Sequence, residues 1–94
     1  MMTPHEMADK RLELSEEYSR YSGEFAKHIK LQAEFFNHHR HDYKSDNATQ
    51  KAFEATEAGV RMVILKLKLK SIEKTMSALN TSLRLAENEA KNLY

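Results

Sequence analysis

Cysteine and tryptophan are absent from this 94-residue chain, proline occurs once and glycine twice. Without cysteine there is no disulfide framework, no thiolate nucleophile and no thiolate metal ligand. That fits a reducing compartment. Pro4, Gly23 and Gly59 are the only residues of their kinds, so tight turns have few places to form and a few long helices are expected. No apolar run approaches the roughly 20 residues of a membrane-crossing helix. Met1 to Arg11 has no apolar signal core. The expectation is a soluble, intracellular protein. One domain at most fits this length, with a small core of the kind that oligomerisation often reinforces.

Catalytic signatures are also missing. Glu16-Glu17 and Glu87-x-Glu89 have no partner base, no serine stands in a nucleophile elbow, and no phosphate loop is present. A non-enzyme without cofactors is expected.

What the chain does contain is a register. Met62, Leu65, Leu69, Ile72, Met76, Leu79, Leu83, Ala86, Ala90 and Leu93 recur at alternating steps of three and four residues, and none is charged. Such a repeat draws one narrow apolar stripe down a long helix, and the stripe needs a partner surface. Phe53, Thr56, Val60, Val63 and Leu67 add a second row beside it. Leu65-Lys66-Leu67-Lys68-Leu69-Lys70 alternates strictly, as a strand would. Helix is favoured there because the three-four spacing continues on both sides and no turn pair forms a hairpin.

A first helix is expected over about 4–37. Thr3-Pro4-His5-Glu6 reads as a capping box with proline at the first helical position. Met7, Leu14, Tyr18, Tyr21, Phe25, Ile29 and Phe36 then share a face. A polar turn is expected over about 38–46, with Ser45 or Asp46 as the next N-cap. A long helix follows over about 47–93, with a kink or split at Gly59.

Charge is nearly balanced, 15 basic against 14 acidic residues, but it is uneven. Glu6, Asp9, Glu13, Glu16, Glu17 and Glu24 make the first helix acidic. Arg61, Lys66, Lys68, Lys70 and Lys74 make the start of the last one basic. A fold-back near residue 44 sets Glu24 near Ile64, Glu17 near Ser71 and Glu13 near Thr75, so the two blocks lie side by side. The expected fold is all-α, a long antiparallel helical hairpin of coiled-coil type. Two apolar rows exceed what one neighbouring helix covers, so hairpins are expected to self-associate as a dimer or bundle. Met62, Leu65, Leu69, Ile72, Met76, Leu79, Leu83 and Leu93 are the expected oligomerisation residues.

Three candidate sites stand out. Phe35, Phe36, His38, His39, Arg40, His41, Tyr43 and Lys44 at the turn are the expected contacts for a partner protein. His38, His39, His41 and Asp42 are also potential zinc ligands. Their spacing matches no established motif and Arg40 interrupts them, so a solvated turn without metal is expected. Unperturbed histidine titrates near 6.5, which would allow a pH-dependent contact. Arg61, Lys66, Lys70 and Lys74 are the alternative site, a basic face for DNA or RNA phosphates. No recognised nucleic-acid motif accompanies them.

Lys68 to Leu79, Leu83 to Leu93 and Phe53-Glu54-Ala55-Thr56-Glu57 together resemble small α-helical accessory proteins of tailed phages and prophages, encoded near recombination genes. The resemblance covers the C-terminal half. It implies a phage-type protein acting inside a bacterial host cell, and it carries over no catalytic residue. The function expected is non-catalytic protein–protein interaction, as accessory factor or inhibitor of a phage or host nucleic-acid-processing or defence complex. Small inhibitors of CRISPR effectors are one such class, suggested by size and origin. Direct nucleic-acid binding and a purely structural coiled-coil subunit are the alternatives.

Overall fold

The computed structural model describes residues 2–92. The all-α expectation holds: α1 spans Pro4–His39, a single 3-10 turn spans Arg40–Asp42, α2 spans Asp46–Glu54 and α3 spans Glu57–Asn92. The molecule is a rod of 69 × 19 × 18 Å. A 36-residue helix such as α1 or α3 is about 54 Å long at 1.5 Å per residue. The long dimension is therefore one helix plus the overhang of its neighbour.

Local chemistry sets each boundary. Thr3 Oγ1 accepts the Glu6 backbone N–H at 3.2 Å and the Thr3 carbonyl accepts from Met7 at 2.9 Å. The first bond satisfies one of the otherwise unpaired amides of the α1 N-terminus, and the second opens the helical ladder. Ser45 does the same for α2, accepting the Ala48 N–H at 3.1 Å through Oγ. The turn is tighter than the sequence indicated. His38 and His39 still belong to α1, and only Tyr43, Lys44 and Ser45 lie between the 3-10 turn and α2.

The expected kink at Gly59 is displaced. The helix breaks at Ala55 and Thr56, and Gly59 already lies inside α3. Thr56 causes the break. Its Oγ1 donates to the Phe53 carbonyl at 2.6 Å and accepts the Gly59 N–H at 3.1 Å. One hydroxyl thus closes α2 and caps α3. Gly59 has a different role. It is buried, and a Cβ there would collide with the Phe53 carbonyl oxygen and stand 2.7 Å from Glu54 Cα. Only glycine lets the start of α3 pass so close to the end of α2.

The strand-like alternation is resolved as helix. On a strand, Leu65, Leu67 and Leu69 would share one face. Here Leu65 is completely buried whereas Leu67 is 63% exposed, as expected for residues about 200° apart around a helix.

α1 and α3 share a seam. Along it Arg11 meets Asn80, Tyr18 meets Glu73 and Glu24 meets Arg61. Numbers fall on α3 as they rise on α1, and Glu24 lands three positions from Ile64. Leu14, Met62, Leu65 and Ile72 are buried in this seam, and Phe53 with Thr49 anchors α2 at its turn end. Thr49 is a polar residue buried without penalty, because its hydroxyl donates to the Ser45 carbonyl at 3.0 Å.

Candidate interaction surfaces

The turn end divides into supports and free side chains. Phe35 is half-buried, its ring tilted against that of His39 at 4.6 Å and edge-on to Phe53 of α2 at 5.5 Å. Phe36 is half-buried as well, so neither phenylalanine stands free. His39 Nδ1 lies 2.9 Å from Asp42 Oδ2, and Arg40 pairs with Asp46 at 3.6 Å. These four residues brace the turn. His38, His41, Tyr43 and Lys44 are exposed around it and make no hydrogen bond or ion pair among the described residues. Of the eight turn residues marked by sequence, four are thus available to a partner, Phe35, His39 and Arg40 hold the shape, and Phe36 is half-buried. Among the described residues, no three of His, Cys, Asp and Glu converge into a metal-holding group.

The basic face is partly committed within the chain. Arg61 grips Glu24 through both carboxylate oxygens, at 2.8 and 3.0 Å. The Lys66 ammonium lies 5.9 Å from the Phe25 ring centroid, and Lys68 lies 4.9 Å from that of Tyr21. Both distances are within the range of cation–π attraction. Lys70 and Lys74 are exposed and make no ion pair among the described residues. Of Arg61, Lys66, Lys70 and Lys74, only the last two are unengaged.

Tyr21 and Phe25 are therefore half-buried platforms for lysine stems. Tyr18 is half-buried too, and its hydroxyl donates to Glu73 Oε1 at 2.7 Å. That hydrogen bond, then the Glu73 charge, then desolvation, raise the phenol above its ordinary pKa of 10.0.

The heptad stripe faces inward. Met62, Leu65 and Ile72 are buried against α1 and the turn end, and Leu69, Met76, Leu79, Leu83 and Ala86 are half-buried. Ala90 is exposed, and Leu93 lies outside the described residues. The best-covered stripe residues are already occupied within one chain. The exposed large apolar side chains of α3 lie elsewhere, at Val60, Val63, Ile64, Leu67 and Leu85. Sequence marked Val60, Val63 and Leu67 as a second row but gave the assembly role to the first.

At the opposite end a cleft of about 710 Å³ opens between the start of α1 and the last turns of α3, lined by Pro4, Ala8, Arg11, Asn80, Leu83 and Arg84. Arg11 donates to Asn80 Oδ1 across it at 3.2 Å. No family model, curated protein or solved structure matches the chain.

Proposed function

We propose that the chain is a non-catalytic protein-interaction module, built as an antiparallel hairpin of coiled-coil type that self-associates. Its place is the cytoplasm of a bacterial host cell, as a phage-type accessory factor or inhibitor of a nucleic-acid-processing or defence complex. The observation that carries the reading is the turn end. His38, His41, Tyr43 and Lys44 project from a turn held by the His39–Asp42 and Arg40–Asp46 pairs and by Phe35 on Phe53. Rigid mounting lowers the ordering cost of binding, and an exposed tyrosine among basic groups is a common contact chemistry.

The test is a combined His38→Ala, His41→Ala, Tyr43→Ala variant in a pull-down from a bacterial host lysate. The reading expects a protein retained by wild type to be lost by the variant at unchanged helix content. Retention of the same protein by both would refute the assignment of the turn end.

A second reading rests on Lys70 and Lys74, which are exposed and make no ion pair among the described residues. It assigns direct DNA or RNA binding to α3. Phosphate contacts release counterions, so affinity would fall steeply with salt. Binding that is absent or insensitive to salt removes this reading.

A further inference from the structure

Two exposed patches on opposite sides of the rod complement each other. The first lies on α3. Leu65 faces α1, so Leu67, about 200° around the helix, faces away. Leu67 is flanked by Val60, Val63 and Ile64, all exposed, and by the unengaged cations Lys70 and Lys74. The second lies on α1. Leu14 is buried in the seam, and Leu12, two positions before it, is 62% exposed. Around Leu12 stand Asp9, Glu13 and Glu16, all exposed. Asp9 and Glu13 have only solvent-exposed local partners, His5 at 3.5 Å and Lys10 at 3.7 Å. Glu16 makes no ion pair among the described residues.

We infer that the α3 patch of one copy docks on the α1 patch of a second copy, head to tail. The inference rests on the reading that the chain self-associates, and it names a surface other than the heptad stripe. Charge selects the occupant. Pairing α3 with α3 in parallel would set Lys70 and Lys74 of one copy against those of the other, and like charges in contact are costly; antiparallel pairing about Leu67 would leave all four lysines without a counter-charge. The acidic rim of α1 meets the same lysines favourably, with Leu12 against the Val63–Leu67 row. The two patches lie on opposite faces of a body 19 × 18 Å in section, so each copy offers one to each neighbour. A heterologous contact of this kind extends beyond a dimer.

Light scattering across a concentration series, at low and high salt, reads the outcome. The expected result is a mass that passes two copies with rising concentration and falls with salt. Leu67→Asp abolishes the rise. Lys70→Glu with Lys74→Glu weakens association by about tenfold or more, and adding Asp9→Lys with Glu13→Lys to that chain restores it. Circular dichroism confirms that each variant keeps its helices, as these exposed positions predict. A wild-type monomer at every concentration overturns both this inference and the self-association reading. An oligomer unaffected by Leu67→Asp and by charge reversal, or one that stops at two copies, overturns the inference alone and returns the contact to another surface.

Discussion

Arg61 on α3 holds both carboxylate oxygens of Glu24 on α1, and each side chain is 37% exposed. A planar guanidinium against a carboxylate fixes both distance and angle, which a lysine in the same place would not do. The pair lies just beyond Met62 and so locks the register of the seam where α3 begins. Solvent screens it, and its coupling in a double-mutant cycle of Arg61→Ala and Glu24→Ala should be at most about 1 kcal/mol. Arg61→Lys should lose most of that coupling. A coupling near zero, measured by urea unfolding, would mean that apolar packing alone sets the register.

The two glycines should respond in opposite directions. A Cβ at Gly59 meets backbone atoms of Phe53 and Glu54, whereas one at Gly23 meets nothing within 4 Å. Gly59→Ala should destabilise by about 1–3 kcal/mol through overpacking. Gly23→Ala should stabilise by up to about 1 kcal/mol, as glycine-to-alanine changes in exposed helix interiors do. Urea midpoints of the two variants check this, and a stabilised Gly59→Ala would contradict the close passage of α2 and α3.

Tyr18 should titrate above the ordinary phenol value of 10.0, because ionising it breaks its bond to Glu73 and brings two negative charges together. A raised folded-state pKa favours the native state below the unfolded value near 10. That contribution is lost as pH climbs through the folded value. The melting-temperature gap between wild type and Tyr18→Phe should therefore be constant at neutral pH and close in strong alkali. Glu73→Gln should advance the phenolate absorbance change. An unaltered titration curve would count against the bond.

At the turn end, supports and contacts should separate by stability. Phe35→Ala removes a half-buried ring from Phe53 and His39 and should cost about 2 kcal/mol, less than a fully buried phenylalanine. His38→Ala, His41→Ala and Lys44→Ala should each stay within about 0.5 kcal/mol of wild type. Thermal melts distinguish the two groups. A large loss at His38 or His41 would make them structural.

The heptad stripe was legible because its period follows from helical geometry. The direction of its cover was not, since a repeat defines a face but not the chain that covers it. Opposed charge blocks placed Glu24 close to its observed partner, because ion pairing acts across the seam. Thr56 was misread as part of an apolar row. Its hydroxyl competes with the helix backbone, and that competition depends on Phe53 and Gly59 being brought together. Gly59 attracted the expected kink because glycine weakens helices in isolation, yet its missing side chain matters here for space. The cation–π seats of Lys66 and Lys68 were also invisible, as they join residues more than forty positions apart.

The rod gives the molecule a ruler's geometry. Tyr43 and Lys44 occupy one tip, and the Arg11–Arg84 cleft opens toward the other. Most of the 69 Å length separates them. Whatever is gripped at one tip is held at arm's length from whatever meets the other. Because helices resist compression, that standoff is set by residue count: deleting a matched pair of seven-residue repeats from α1 and α3 would shorten it by about 10 Å while keeping the seam in phase.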